Sequence, residues 1–162
     1  MLDTCPKILV APSGFKESMS ATEAARAIEA GLLDTAPDAT IVTAPLADGG
    51  SGTVDAILSA VGGERQQARV YDPRGRAVIA RYGMLADGTS AIIEIAASTG
   101  LALLSQSERN PMLASSYGAG QLILKAISSG ARRIILGIGD SATVDGGIGA
   151  LQALGVNLLD YR

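Results

Sequence analysis

The chain has 162 residues, 18% of them charged, and 13 Lys+Arg against 16 Asp+Glu give a net charge of −3. This predicts one domain or two small ones, and without a basic run it leaves no electrostatic footprint for nucleic acid. Histidine is absent and Cys5 is the single cysteine, which excludes Ser-His-Asp and Cys-His catalysis, a disulfide framework and a Cys-based zinc site.

In chain order, Ile8–Ala11 reads as a short buried strand ended by Pro12-Ser13-Gly14. Ser20-Ala21-Thr22-Glu23 is a capping box, followed by Ala21, Ala24, Ala25, Ile28 and Leu32 on one helical face. Pro37-Asp38 breaks that helix, and Thr40–Ala44 is a second strand, parallel to the first through a right-handed crossover. A helix from Ser51, with Val54, Ile57, Leu58 and Val61 inside, stops at Gly62-Gly63. The pattern then changes to three antiparallel strands, Glu64–Tyr71, Ala77–Leu85 and Ser90–Ile95, joined by Asp72-Pro73-Arg74-Gly75 and Ala86-Asp87-Gly88-Thr89. Ser115 or Ser116 opens a helix stopped by Gly130, and the bland role of these serines is capping. Arg132–Leu136 is a buried strand, Ile148–Leu154 a short helix, and Val156–Leu159 a last strand. The change at Gly62-Gly63 marks the expected domain boundary, and two strands are too few for a sheet of ordinary width.

Ligands of open parallel sheets sit beyond the carboxyl ends of the strands, where three loops stand out. Pro12-Ser13-Gly14-Phe15-Lys16 offers freed amides and an ammonium to a carboxylate or phosphate, or is a plain turn with a solvated lysine. In Ala47-Asp48-Gly49-Gly50-Ser51, Asp48 suits a metal or a base, or equally a helix cap. Gly137 to Gly147 carries four glycines, Asp140, Asp145, Ser141 and Thr143, more polar capacity than a connection needs. Its amides and hydroxyls suit a phosphate chain, with Asp140 or Asp145 coordinating Mg²⁺ or taking a hydroxyl proton. Glu94, late in an apolar strand, faces a crevice or water. Gly137–Ala142 also fits G-x-G-x-x-G/A, with Asp160 about 20 residues on, the spacing of a dinucleotide fingerprint. That alternative, an NAD-dependent oxidoreductase, needs a helix starting inside the motif, where Asp145-Gly146-Gly147 would interrupt it.

Five stretches together resemble the bacterial glycerate kinase family of the glycerate 2-kinase type: Ala11–Ser18, Leu46–Thr53, Glu94 with Ala96–Leu101, Asn110-Pro111 with Ser116-Tyr117-Gly118, and Ile138–Gly149. They occur in the family's order and cover nearly the whole chain. The resemblance implies ATP- and Mg²⁺-dependent phosphoryl transfer to a hydroxyl of D-glycerate. It implies an α/β fold: an incomplete flavodoxin-like (Rossmann-type) parallel-sheet domain, with residues 1–63 its N-terminal part, and a second mixed-sheet domain inserted into it, partly supplied by residues 64–162. On this reading Lys16 neutralises a carboxylate or phosphate, and Asp48 and Asp145 handle Mg²⁺ or the hydroxyl proton. Ser13, Gly49, Gly50, Glu94, Gly139, Ser141, Thr143, Gly146 and Gly147 would bind substrate or phosphate.

Three positions depart from the family pattern. Ser51 stands where a Glu is usual after Asp-Gly-Gly, Asp140 where Gly is more common, and Val144 where Asn is more common. Family members are also more than twice as long, so the expectation is an N-terminal portion lacking its C-terminal half. Such a portion would be inactive alone, or a non-catalytic module for small anions, with strand edges open to homo-oligomer formation. The expected location is the cytoplasm, with no membrane or nucleic-acid partner.

Overall fold

A computed structural model describes residues 5–15 and 18–159, and the chain divides into two units, Met1–Asp48 and Gly49–Arg162. In the first, β1 (Lys7–Val10) and β2 (Thr40–Thr43) pair in parallel, joined by α1 (Ala21–Thr35). The capping box forms as its sequence predicts: the Glu23 amide donates to Ser20 Oγ at 3.2 Å, and the Ser20 amide to Glu23 Oε2 at 2.8 Å. Ala24 and Ala25 are the buried residues of α1, whereas Ile28, expected on the same face, is largely exposed. Two strands bury little, and Leu9 and Val42 also stay exposed.

The second unit begins with the Gly49–Gly52 turn and α2 (Thr53–Val61). Next come β3 (Gly63–Tyr71), β4 (Ala77–Leu85) and β5 (Ser90–Glu94), an antiparallel meander. After the short α3 (Ala96–Thr99) and three 3₁₀ turns, α4 (Tyr117–Ser128) crosses to β6 (Arg133–Gly137), which pairs in parallel with β5. A βαβ crossover is thus grafted onto a meander, giving a four-stranded mixed sheet in the order β3-β4-β5-β6. A short α5 (Ile148–Ala153) follows.

Both faces of β5 are covered, which explains its unbroken apolar run. Ala91 and Ile93 join Ala68, Val70, Ala80, Tyr82, Leu122 and Ala126 in the core that includes α4, while Ile92 packs on Val54 and Leu58 of α2. At roughly 1.5–3 kcal/mol for each large side chain removed from water, these two clusters carry most of the unit's hydrophobic stabilisation. The Asp72–Arg76 hairpin is closed by a local clamp. Asp72 Oδ1 accepts from the Arg74 and Arg76 amides, and its Oδ2 pairs with the Arg76 guanidinium at 2.6 Å. Arg76 continues to Glu108 and the Leu103 carbonyl, tying the 3₁₀ turns to the hairpin.

Three sequence expectations need correcting here. Arg132–Leu136, expected as a buried strand, corresponds to β6, where Ile135 and Leu136 stay exposed because β6 is an edge strand. Val61 is exposed, because α2 ends there and Gly62 (φ +79°) turns the chain directly into β3. Val156–Leu159 is not a strand. Its backbone finds no ladder partner among the described residues, and the Val156 amide closes back on the Leu151 carbonyl at 3.0 Å.

Candidate functional site

Within the second unit, two glycine-rich loops meet backbone to backbone. The Gly139 amide donates to the Gly49 carbonyl at 2.9 Å. A Cβ on Gly137 would lie 2.6 Å from Gly49 O, and one on Gly139 2.6 Å from Gly50 N. Only residues without a side chain allow this approach, so glycine at 137 and 139 is a packing requirement. Inside the first loop, the Gly49 amide donates to Thr53 Oγ1 at 3.1 Å, so Thr53 is at once a helix residue and the clasp of the turn before it.

Glu94 closes the floor of this arrangement. Strand alternation puts it on the same face as Ile92, towards α2. Its Oε2 accepts the Val54 amide at 3.1 Å. The N-cap residue of α2 is Gly52, which has no side chain to cap with, so a carboxylate 40 residues away satisfies the helix instead. Burial pushes the Glu94 carboxyl above the usual range, against the amides of Val54, Gly52 and Thr53, which favour its charged form. Asp55 nearby pushes it up further.

Asp145 sits in a nest of donors. Its Oδ2 accepts from the Ser116 amide and the Ser116 hydroxyl, both at 2.8 Å, and from the Gly149 amide at 3.2 Å; its Oδ1 accepts the Gly147 amide at 3.2 Å. Burial alone would raise this carboxyl, but the donors from Ser116, Gly147 and Gly149 win and hold it below the usual carboxylate range. Of the two serines expected to cap α4, Ser115 accepts the Tyr117 amide on its Oγ at 3.2 Å, whereas the Ser116 side chain makes no capping bond. Ser116 donates to Asp145, and its Oγ accepts the Ala150 amide at 2.9 Å, pinning the start of α4 to α5. Gly120 and Gly149 let these helices approach, since a Cβ on Gly120 would fall 2.3 Å from Ala150 O.

The other expected site residues are distributed as follows. Gly49, Gly50, Gly139 and Glu94 gather around the α2 N-terminus. Ser141 and Thr143 bond each other (2.9 Å between hydroxyl oxygens) in a local turn, and the Ala142 amide ties that turn to Thr99 O. Gly146 and Gly147 have φ of +62° and +80° and lead into α5. Ser13 and Asp48 lie exposed in the first unit, and Lys16 lies outside the described residues, as does Asp160. The dinucleotide fingerprint fails: no helix begins within Gly137–Ala142, and α5 starts only at Ile148. Among the described residues no three carboxylate or thiol groups converge as a ready-made metal cage, and no helix is long and apolar enough to cross a membrane.

One contact escaped the sequence reading. The Ser51 amide donates to Asp140 Oδ2 at 3.0 Å, and Asp140 has φ +57°, the sole non-glycine residue with positive φ among those described. A glycine takes that conformation without cost, and Asp is among the residues that tolerate it. The two departures from the resembled pattern, Ser51 and Asp140, are thus neighbours in space.

The second unit is thus an α/β arrangement whose glycine loops meet at a helix N-terminus beside a half-buried carboxylate. The chain belongs to the glycerate kinase family, which matches residues 8–162. It is 50% identical to the glycerate 2-kinase of Escherichia coli K12 over 154 residues, 95% of this chain and 40% of that protein. It is also 50% identical to the glycerate kinase of Halalkalibacterium halodurans over 152 residues, 94% of this chain and 40% of that one. A solved structure from Salmonella typhimurium LT2, assigned as a glycerate kinase 2, is similar with a TM-score of 0.75 at 47% identity, covering 93% of this chain and 41% of that one. The chain therefore spans about 40% of the length of the relatives it matches.

Proposed function

We propose that this chain forms part of a kinase transferring the terminal phosphoryl group of ATP to a hydroxyl of D-glycerate. The observation that carries the reading is the apposition of Gly49-Gly50 with Gly137 and Gly139 beside Glu94, in a chain matched to the family from residue 8 to 162. Phosphoryl transfer depends mainly on positioning and charge neutralisation, which suits a protein without histidine.

In this proposal Lys16 neutralises phosphate or carboxylate charge, and Ser13, Gly49, Gly50 and Gly139 present backbone amides or a hydroxyl to the anions. Ser141 and Thr143 add hydroxyl donors, with Gly146 and Gly147 shaping the end of the loop. Glu94, half-buried and held towards its neutral form, contacts the substrate, while Asp48 or Asp145 takes the hydroxyl proton as the oxygen attacks phosphorus and ADP leaves. For Mg²⁺, Asp145 has its Oδ2 committed to three donors, so Oδ1 is the oxygen it would contribute; Asp48 is the other candidate carboxylate. This suits a cation that uses one or two carboxylates and fills its remaining positions with water and phosphate oxygens. Mg²⁺ bound in that way supplies neutralisation of the transferring phosphoryl group. The proposed compartment is the cytoplasm.

Thermal-shift titration of the chain tests the reading. Mg-ATP and D-glycerate should each raise Tm, and NAD should not. Stabilisation by NAD alone would overturn it. ADP release with D-glycerate, measured on this chain and on a longer protein containing it, then separates binding from turnover.

A further inference from the structure

A groove of mixed polar and apolar lining lies on the second unit away from the glycine loops, and its charged side chains are all cations. It runs between β3, an edge strand of the sheet, and α4, with a volume of about 480 Å³, within the roughly 300–1,000 Å³ range of small-molecule sites. Gln67, Ala68 and Arg69 line it from β3, and Gln121, Leu124, Lys125 and Ser128 line it from α4, at the spacing that puts four residues on one helix face. No carboxylate lines it. Arg69 and Lys125 have no ion-pair partner among the described residues, although acidic residues outnumber basic ones in the chain.

The backbone adds to this. The Tyr71 amide points off the strand edge and donates to Gln121 Oε1 at 2.8 Å. In an antiparallel strand the N–H and C=O of one residue point the same way and alternate in direction along the chain, so those of Arg69 and Gln67 point off the same edge, donors beside acceptors, where no strand pairs with them. Because Oε1 of Gln121 is occupied by Tyr71, its amide nitrogen remains as a donor. Isolated charges on an edge strand commonly serve to block strand pairing. Here the cations come from two different elements and line one concave surface with no carboxylate beside them, an arrangement suited to an anion.

We infer that the β3–α4 groove binds a small organic anion carrying carboxylate or phosphate groups, with Arg69 and Lys125 as its charged contacts. The inference does not rest on the kinase reading.

NMR titration of the chain in physiological salt tests it, with inorganic phosphate and citrate as separate probes. The expected result is saturable shifts at the amides of residues 67–71 and 121–128. Binding should weaken at least about tenfold, roughly 1.4 kcal/mol, in Arg69→Gln/Lys125→Gln. It should be unchanged in Arg132→Gln, which removes the same charge elsewhere. Response to citrate alone identifies a carboxylate ligand, and response to phosphate alone a phosphate ligand. All three residues are exposed, so an unchanged spectrum without ligand confirms that each variant folds. The inference is overturned if neither probe gives saturable shifts in the groove. Binding at residues 49–53 and 137–147 that survives the double substitution overturns it too, by assigning the anion to the glycine loops. Self-association abolished by the double substitution, with no anion response, overturns it in favour of strand pairing at the β3 edge.

Discussion

The backbone N–H of Ser51 donates to Asp140 Oδ2 at 3.0 Å, joining residues 89 apart in sequence. The bond fixes the turn before α2 against the loop after β6, and the residue supplying the carboxylate holds a left-handed backbone to do so. Two opposing effects are therefore built into one position.

Substitutions at Asp140 separate them. Asp140→Ala loses the acceptor and keeps an unfavourable φ, so it should lower stability by about 1–2 kcal/mol. Asp140→Gly loses the same acceptor but relieves the backbone and should be the milder change. Thermal melts of the two variants check the order, and equal losses would show that the backbone conformation contributes nothing.

Glu94 is expected to respond differently to charge removal and to truncation. Its carboxyl titrates higher in the folded state than in the unfolded chain, so the folded protein holds the extra proton between the two values. Stability from this group consequently declines as pH rises through that window and is greatest below it. Glu94→Gln keeps an acceptor for the Val54 amide and should flatten this part of the stability–pH curve. Glu94→Ala uncaps α2 and should cost about 1 kcal/mol. Urea unfolding across weakly acidic to neutral pH reads both. If Glu94→Gln keeps its stability while D-glycerate binding is lost, the carboxyl has the proposed substrate contact.

Asp145 carries the opposite sign. Despite burial, its donors hold the folded carboxyl below its unfolded value. Its contribution is therefore complete above the ordinary carboxylate range and disappears as pH falls through the depressed value. Ser116→Ala removes a hydroxyl that both donates to Asp145 and accepts from Ala150, and should lower stability by about 1–3 kcal/mol. The same variant should raise the pH at which acid unfolding begins. An unchanged acid limb would mean that Ser116 does not hold the carboxylate charged.

Two glycine substitutions should move stability in opposite directions. Gly139→Ala drives a Cβ to 2.6 Å from Gly50 N, backbone that cannot swing aside, and should cost about 2 kcal/mol or more. Gly31→Ala lies inside α1 with nothing within 4 Å of the added carbon and should stabilise by up to about 1 kcal/mol. Tm differences measured by calorimetry would show both.

Most elements were legible in the sequence because their signals are local. The capping box spans four residues, the Asp72 and Asp87 turns close within four, and the β5 run is apolar because both its faces are covered. Val156–Leu159 was misread because an apolar β-rich segment says nothing about whether a partner strand lies beside it.

The sequence by itself determined most of the helices and strands, which loops are rich in glycine and hydroxyls, and the chemistry of a chain without imidazole. Tertiary structure alone decided what the polar groups do. Glu94 caps a helix 40 residues earlier, Ser116 serves an aspartate 29 residues later rather than its own helix, and Asp140 reaches Ser51. Each choice depends on which donor the packed backbone leaves unpaired, and that is set when the sheet, α2 and α4 close together.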